Sequence, residues 1–373
     1  MKTVVIGLSG GVDSAVAAYR LKKEGYRVIA VFMRNWDSAV NNDFLGNPTL
    51  KNEICEQEKD YNDAVLVAST LGIELHRVDF YKEYWDKVFT YFLDAYKEGI
   101  TPNPDVLCNN EIKFKAFIKY AETLNYDYIA MGHYARIEHK DSKSILLRAL
   151  DSSKDQSYFL SMLDETQLSK VLFPIGDLKK VEVRQLAREA GLHIHDKKDS
   201  TGICFIGERN FKEFLKNYIP SQKGVIRNIQ GKVLNEHEGV MFYTIGQRKG
   251  LLIGGTKEST NSWYVVGKDI LNNELIVDDN KDSIYLYSNN CIIFNCVFRD
   301  NIDTSIEYSA KFRYREQDVK VNLEKIDEKT YKVRYLKDRA VTSGQVCAIY
   351  NDSICIGGGI IKSVYFDDTL REN

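Results

Sequence analysis

The sequence lacks most of the features that would take it out of the ordinary globular class. No apolar run approaches the roughly 18 residues that a membrane span requires, and no charged and then apolar leader precedes the first predicted strand. The seven cysteines include no C-x-x-C pair and no zinc-ligand spacing. We therefore expect a cytoplasmic protein whose cysteines stay reduced.

A strong charge bias is also missing. The formal net charge of the whole chain is −2, and this value does not indicate a nucleic-acid-binding protein. Because phosphate neutralisation is a local requirement, any contact with nucleic acid would depend on basic residues gathered into patches. Hydrophobic residues make up 44% and charged residues 28% of the chain, as in ordinary globular proteins.

The 373 residues are enough for two or three domains. Apolar strand and helix patterns alternate through the first part of the chain, which predicts a parallel sheet covered by helices on both faces. After a linker at 220–224 the helical patterns give way to short β runs. The expected fold class is an α/β domain over 1–210, a small β-rich central domain over 211–280 and a C-terminal β-barrel over 281–373.

The stretch Ser9-Gly10-Gly11-Val12-Asp13-Ser14 lies between a predicted buried strand, Val4–Leu8, and a predicted amphipathic helix. Two adjacent glycines leave backbone N–H groups uncovered, and the helix start adds partial positive charge. Ser9 and Ser14 add hydroxyl donors, and Asp13 could hold a cation that accompanies a polyphosphate. The turn therefore predicts a phosphate-binding site, against the alternative of a simple glycine turn with a helix cap.

The known phosphate-binding motifs narrow this prediction. The turn has no lysine for a Walker A loop and no G-x-G-x-x-G for a Rossmann fold. Its S-G-G-x-D-S pattern resembles the PP-loop of ATP pyrophosphatases, whose fold is that of the adenine nucleotide alpha hydrolases. The resemblance implies cleavage of ATP between the α and β phosphates and adenylation of a substrate oxygen.

Two cysteines stand in settings that favour reactivity. Cys108 follows the proline-stiffened segment 101–104 and precedes a helix predicted from Phe114 onward, so a helix N-terminus could favour its thiolate. Cys204 lies in a polar, glycine-containing loop with three cations nearby: Lys197, Lys198 and Arg209. The alternative for each is a buried structural cysteine. Four others lie in apolar β patterns and are predicted to be core residues: Cys291, Cys296, Cys347 and Cys355.

Further stretches suit binding of a nucleotide or of single-stranded nucleic acid. Gly132 ends a predicted strand, where the absence of a side chain permits close approach of a ligand. Cations adjoin aromatic residues at 244–250 and 311–315, a mixture that suits stacking on unpaired bases with contacts to phosphates. Exposed edge strands with basic residues are an equally common explanation.

Together these stretches resemble the tRNA-specific 2-thiouridylases over nearly the whole chain. The matching motifs are Gly7–Ser14, Asn103-Pro104-Asp105 with Cys108, Gly132–Arg136, Lys154–Tyr158, Gly202–Gly207, Thr244–Arg248, Arg313–Arg315, Ala340–Gln345 and Gly357–Gly359. Ser343 departs from the proline common in the family, and the Asn-rich segment 35–59 looks particular to this chain.

The resemblance implies an ATP-dependent exchange of oxygen for sulfur at C2 of the wobble uridine of tRNA, with release of AMP and pyrophosphate. It implies catalytic roles for Cys204, which takes sulfur as a persulfide, for Cys108 as the second thiol, and for Asp105 as an acid or base. The remaining implied contacts fall into three groups. ATP would be bound by Gly7, Leu8, Ser9, Gly10, Gly11, Val12, Asp13, Ser14, Met33 and Gly132; the target base by Asn103, Pro104 and Asp105; and tRNA by His133, Lys154, Asp155, Gln156, Arg313, Tyr314 and Gln345.

The implied cofactors are ATP and Mg²⁺, with Asp13 as a possible magnesium contact through the phosphates. The implied partners are tRNAs for glutamate, glutamine and lysine and a persulfide-donor protein, either a cysteine desulfurase or a relay protein. Two alternatives stay open: a PP-loop ligase that uses an amine nucleophile, which would not need the two cysteines, and a tRNA-binding module without activity.

Overall fold

The computed structural model describes residues 1–50, 52, 54–199, 202–204, 206–253 and 261–371. The chain divides into two compact units. Unit 1 comprises Met1–Phe89, Pro104–Phe214 and Asn351–Ile356, and unit 2 comprises Thr90–Asn103, Leu215–Tyr350 and Gly357–Asn373. No helix in the described ranges is long and apolar enough to cross a membrane. Ser200, Thr201 and Phe205, which belong to the sequence stretch around Cys204, lie outside the described residues.

A five-stranded parallel sheet forms the centre of unit 1. Its strands are β1 (Thr3–Gly7), β2 (Arg27–Arg34), β3 (Glu74–Asp79), β4 (Tyr128–Ala130) and β7 (Val171–Leu172), in the spatial order β3-β2-β1-β4-β7. Every residue of β1 is buried, as its uniformly apolar sequence predicts. Since the chain runs to one side of β1 and later returns to the other, the crevice at the carboxyl ends of β1 and β4 is the switch point where such sheets bind ligands.

Nine α-helices are found among the described residues. They are α1 (Val12–Lys23), α2 (Glu56–Leu71), α3 (Tyr81–Tyr84), α4 (Thr90–Lys97), α5 (Pro104–Cys108), α6 (Phe117–Ala121), α7 (Glu165–Leu168), α8 (Lys180–Glu189) and α9 (Phe211–Leu215). The apolar faces of α1, α2 and α8 pack with the sheet residues in one core cluster, which includes Val16, Val67 and Val183. A hairpin of β5 (Ala135–Lys140) and β6 (Lys143–Arg148) extends unit 1, and Leu147 of this hairpin pairs with Ile354.

Two helical runs contain π-helical segments, Trp85–Phe89 between α3 and α4 and Asn109–Ala116 between α5 and α6. The second run differs from the prediction that a helix begins after Cys108. It begins at Pro104, which suits a first helical position because its missing N–H would have no partner there. Cys108 therefore lies inside a helical run and not in front of a helix N-terminus.

Unit 2 contains α4 and is otherwise built mainly from β-sheet. A four-stranded sheet has the order β10-β11-β8-β9, with β8 (Gly224–Asn228), β9 (Val233–His237), β10 (Tyr264–Asp269) and β11 (Glu274–Asp278). Six further strands follow in the order β12-β15-β14-β13-β16-β17, and β12 also pairs with β17, which closes a barrel. They are β12 (Tyr287–Phe298), β13 (Tyr308–Lys311), β14 (Val319–Asp327), β15 (Thr330–Arg339), β16 (Val346–Asn351) and β17 (Ile354–Phe366), and β18 (Thr369–Arg371) adds to β17.

The predicted fold class is confirmed: a parallel-sheet α/β domain, a small central β domain and a C-terminal β-barrel. Buried positions for Cys291, Cys296, Cys347 and Cys355 are confirmed as well, whereas Cys55 is exposed. The domain boundaries at 210 and 280 stay a prediction.

Candidate active site

The turn after β1 leaves the backbone at the start of α1 free to receive an anion. Gly11 is the N-cap of α1, and no side chain caps this helix end. The N–H groups of the first turn thus keep their positive partial charge for a ligand. Ser14 Oγ accepts a hydrogen bond from Ser9 N at 3.1 Å and lies 3.1 Å from Ser9 Oγ, which folds the loop over the helix start.

Two glycines of the site are required by close backbone contacts. Gly10 has φ +73°, and a Cβ there would lie 2.1 Å from the carbonyl oxygen of Asp60 in α2. A Cβ on Gly132, after β4, would lie 2.7 Å from Ser14 N. Gly132 thus lets the end of β4 lie against the phosphate turn, and its contact with a ligand stays a prediction.

An ion-pair network surrounds Asp13, and the sequence did not indicate that its members meet there. Lys180 Nζ lies 2.8 Å from Asp13 Oδ1 and 2.7 Å from Asp199 Oδ1, and the Tyr134 hydroxyl donates to Asp13 Oδ1 at 2.9 Å. Burial opposes ionisation of Asp199, but hydrogen bonds from Lys154 and Lys180 lower its pKa to about 2. A lysine ammonium is therefore held beside the phosphate turn by two carboxylates.

The residues fit magnesium only together with a ligand. Among the described residues, no group of three or more His, Cys, Asp or Glu side chains could hold a metal ion. Mg²⁺ in nucleotide sites commonly takes one or two carboxylates and completes its shell with phosphate oxygens and water. Asp13 can supply such a carboxylate if Lys180 shifts towards the phosphates.

The two cysteines singled out in the sequence meet in unit 1. Cys108 Sγ lies 3.5 Å from Cys204 Sγ, although 96 positions separate them, and both are free thiols. Cys108, at the end of α5, is fully buried, whereas Cys204 is half-buried. The pair can exchange sulfur without a large movement, and Cys204 is the more exposed of the two residues.

The backbone of Cys204 is fixed on both sides. Its N–H donates to Asp105 Oδ1 at 3.0 Å, and its carbonyl accepts from the Tyr84 hydroxyl at 3.0 Å. Asp105 is in the first turn of α5, and Tyr84 ends α3. Burial raises the pKa of the Asp105 carboxyl. This carboxyl is thus an anchor for the Cys204 backbone, and burial favours its neutral form.

The two thiols differ in how readily each loses its proton. Burial, together with its hydrogen bond to Cys204, raises the pKa of Cys108 well above the usual thiol range. The hydrogen bond from Cys108 lowers the pKa of Cys204, and the Lys113 ammonium lowers it further. The prediction that a helix N-terminus favours the thiolate of Cys108 is therefore wrong, because the helix begins four residues earlier, at Pro104.

The cations near Cys204 also differ from the prediction. Lys197 Nζ is engaged by Asp60 at 2.7 Å, by Asp63 and by the Gly10 carbonyl, and Arg209 forms a buried ion pair with Asp43 at 2.6 Å. The cation that acts on Cys204 is Lys113, in the π-helical segment. Lys197 and Arg209 are thus paired with carboxylates of other segments.

The residues that the resemblance assigns to tRNA in unit 1 are His133 and the consecutive Lys154–Gln156, and they differ in exposure. Lys154 pairs with Asp199 at 2.8 Å. Asp155 is buried and accepts hydrogen bonds from Ala149 N and Ser157. Gln156 Oε1 accepts from Tyr134 N at 2.9 Å, and buried His133 packs beside Phe114. Asp155 and Gln156 therefore shape the loop that presents Tyr134 to Asp13.

The assigned residues of unit 2 form two groups. Gln345 Nε2 donates to the carbonyls of Thr101 and Pro102 at 2.9 and 3.1 Å, and Asn103 Nδ2 lies 3.4 Å from Gln345 Oε1. Arg313 donates to the Ala340 carbonyl and to Thr342 Oγ1, and Tyr314 lies under the guanidinium of Arg315. Gln345 thus holds the segment that ends at Asn103. None of these contacts tests the roles in binding, which stay predictions.

Three family models match consecutive parts of the chain. Residues 2–208 match the tRNA methyl transferase HUP domain, 212–279 the tRNA methyl transferase PRC-barrel domain, and 291–361 the Aminomethyltransferase beta-barrel domain. The first of these matches alone spans more than half of the chain.

Curated relatives align over almost their full length. The protein named tRNA-specific 2-thiouridylase MnmA from Acholeplasma laidlawii is 59% identical over 371 residues, which cover 99% of each chain. Its namesake from Phytoplasma australiense is 55% identical over 100% of this chain and 99% of its own. That from Bacillus cereus is 50% identical over 97% of this chain and 95% of its own. The chain belongs to the family of tRNA-specific 2-thiouridylases.

Proposed function

We propose that this protein uses ATP to replace the C2 oxygen of the wobble uridine of tRNA with sulfur. The observation that carries the proposal is the pair of thiols 3.5 Å apart in the same unit as an uncapped phosphate turn. Thiolation by an activated ester needs both parts, since one binds the nucleotide and the other delivers sulfur. Family membership supports the same reaction.

The first half-reaction would be adenylation. The uracil C2 oxygen attacks the α-phosphate of ATP, and pyrophosphate leaves. Gly7–Ser14 would hold the phosphates, and Met33 and Gly132 would line the adenosine site. Lys180 is placed to neutralise phosphate charge once it is released from Asp13. Mg²⁺ bound with ATP would supply further charge neutralisation through Asp13.

The second half-reaction would transfer sulfur. The Cys204 thiolate attacks the outer sulfur of a persulfide on a donor protein, and the donor's thiolate leaves, so Cys204 becomes a persulfide. One route has this persulfide attack C2 and expel AMP, after which Cys108 breaks the S–S bond and a Cys108–Cys204 disulfide remains. In the other route Cys108 attacks first and releases hydrosulfide, which then attacks C2. Either route ends in a disulfide that an external thiol reductant must reopen.

The substrate contacts are proposals as well. Asn103, Pro104 and Asp105 would contact the target base, with Asp105 as an acid or base. The tRNA would be contacted by His133, Lys154, Asp155, Gln156, Arg313, Tyr314 and Gln345. We further propose tRNAs for glutamate, glutamine and lysine as acceptors, a cysteine desulfurase or relay protein as the sulfur donor, and the cytoplasm, where tRNA and reduced thiols occur together, as the location.

The test is nucleoside mass spectrometry of unmodified tRNA for glutamate, glutamine and lysine after incubation with the protein, ATP, Mg²⁺ and a sulfide source. We expect 2-thiouridine from the wild type and none from Asp13→Asn. Cys108→Ala separates the routes when a persulfide donor replaces free sulfide, because free sulfide can attack the adenylated C2 without the cysteines. The first route then leaves tRNA disulfide-linked to Cys204, whereas the second leaves no linked tRNA. Pyrophosphate release with ammonia and without thiolation would instead favour an amine ligase.

A further inference from the structure

The π-helical segment Asn109–Ala116 changes which side chains share a face with the thiols. In a helix bonded from i to i+5, residues five positions apart lie on the same side, whereas at the 3.6 residues per turn of an α-helix they are about 140° apart. Lys113 is five positions beyond Cys108, and Phe114, directly after it, has non-helical angles of φ −120° and ψ 17°. The irregular helix therefore turns Lys113 to the side of Cys108.

The contacts of Lys113 confirm this placement. Its ammonium forms a hydrogen bond with the Cys204 thiol and faces Cys108 and Asp105. On the other side, His133 Nε2 lies 3.5 Å from Lys113 Nζ. Since an ammonium can only donate, Nε2 must accept, and we assign the imidazole proton to Nδ1. Burial, together with the nearby Lys113 charge, lowers the pKa of His133 well below its usual range, so this histidine stays neutral.

We propose that Lys113 is a third catalytic residue of the thiol site, which keeps the negative charge of the pair on Cys204 and so makes Cys204 the thiol that accepts sulfur. The role of Lys113 in sulfur transfer rests on the proposed function. In that reaction Cys204 must attack as a thiolate, and the leaving electron pair goes to the donor's sulfur. The ammonium stabilises the attacking form without giving up its own proton.

The electrostatics agree with the geometry. Burial opposes the charge of Lys113, yet Cys204, Cys108 and Asp105 together raise its pKa, so the ammonium form persists. The titratable groups that face Cys204 are Cys108, Lys113, Asp105 and Tyr84. Lys113 is the cation in this group, so its removal leaves a thiolate among groups that carry no positive charge.

The experiment follows the alkylation of Cys204 in the full-length protein. Iodoacetamide is applied across a range of pH, and the Cys204 peptide is quantified by mass spectrometry, which separates it from exposed Cys55. We expect Lys113→Met to slow alkylation at pH 7 by about tenfold and to move the pH profile upward, since an ammonium at contact distance is lost. Lys113→Arg should keep the wild-type profile.

Lys115→Met is the matched control. Lys115 lies two residues further on in the same π-helical segment, its side chain is 65% exposed, and it pairs with Glu111 at 2.8 Å. It should leave the profile unchanged. If Lys113→Met does not fold, as judged by circular dichroism, Lys113→Gln and Lys113→Arg give the same comparison of neutral and charged side chains.

Unchanged alkylation of Cys204 in the neutral Lys113 variants would overturn the proposal. The assay needs neither tRNA nor ATP, so its result is independent of the thiolation test. A wild type that makes no 2-thiouridine but shows the Lys113 effect would contradict the proposed function alone. A wild type that makes 2-thiouridine, with no Lys113 effect on alkylation, would contradict the role of Lys113 alone.

Discussion

At the scale of single residues, Cys108 and Cys204 have different tasks because their surroundings differ. Cys108 is fully buried and donates the hydrogen bond, so it keeps its proton. Cys204 is half-buried and accepts that hydrogen bond, so a negative charge on the pair is more stable on Cys204 than on Cys108. A proton that moves from one sulfur to the other would reverse these roles, which allows the same pair to receive sulfur and then to release it.

Gly10 gives a residue-scale prediction about the phosphate turn. Gly10→Ala places a Cβ at positive φ and 2.1 Å from a backbone oxygen, so it should lower the free energy of unfolding by roughly 2–5 kcal/mol. Gly25→Ala is the control, because Gly25 has φ +86° but no atom within 4 Å of the added Cβ. It should lose only about 1–2 kcal/mol.

Urea unfolding followed by circular dichroism measures both variants. Equal losses for the two would mean that α2 moves away from Gly10 at little cost, and that the close packing of the phosphate turn on α2 is not required.

At the scale of elements, two tyrosine hydroxyls support different parts of the site, one the thiol pair and the other the phosphate turn. Tyr84, from α3, holds the Cys204 carbonyl, and Tyr134, after β4, holds Asp13. Tyr84→Phe leaves a carbonyl without its donor, and a lost hydrogen bond of 1–2 kcal/mol corresponds to a rate about tenfold lower. We expect this variant to slow formation of 2-thiouridine while the KM for ATP stays unchanged.

Tyr134→Phe should instead raise the KM for ATP and leave the alkylation of Cys204 as in the wild type. Steady-state kinetics with varied ATP, combined with the iodoacetamide assay, separates the two effects. Identical changes in both variants would show that the two parts of the site act as one element.

The sequence predicts features whose residues are close together in the chain, and it does not predict contacts between distant residues. The phosphate turn was predictable because a buried strand, two glycines and an amphipathic helix are consecutive. Lys180 was missed because 167 positions separate it from Asp13, and no local spacing encodes that ion pair. Lys113 was missed because helical patterns are searched at the α-helical period, whereas this segment is π-helical.

At the scale of the whole molecule, a buried lysine gives unit 2 a stability that depends on pH. Lys268 is 4% exposed and donates to the carbonyls of Gly99 and Tyr243. Burial lowers its pKa to about 8 from the ordinary value of 10.5. Between these two values the unfolded chain binds more protons than the folded one, so this group's contribution to stability rises with pH and is lost as the pH falls towards 8.

Lys268→Met should remove the pH dependence that Lys268 gives to the free energy of unfolding. The difference between wild type and variant in the free energy of unfolding should change by about 3 kcal/mol between pH 8 and 10.5, in favour of the wild type at higher pH. Urea titrations at several pH values measure it, and the common titration of cysteines and tyrosines cancels in the difference. A difference that is constant across this range would contradict the lowered pKa.

The interleaved composition of the two units has a consequence for biosynthesis. Unit 2 uses residues 90–103, which hydrogen-bond to Gln345 and Lys268, and unit 1 uses residues 351–356, which pair with Leu147 and accept from Arg148. At ribosomal rates of 5–20 residues per second, the early segment waits on the order of ten seconds or more for its partners. Each unit is complete only after segments from the late part of the chain have been made, so a chain that is cut short near residue 350 loses contacts in the unit that carries the thiols.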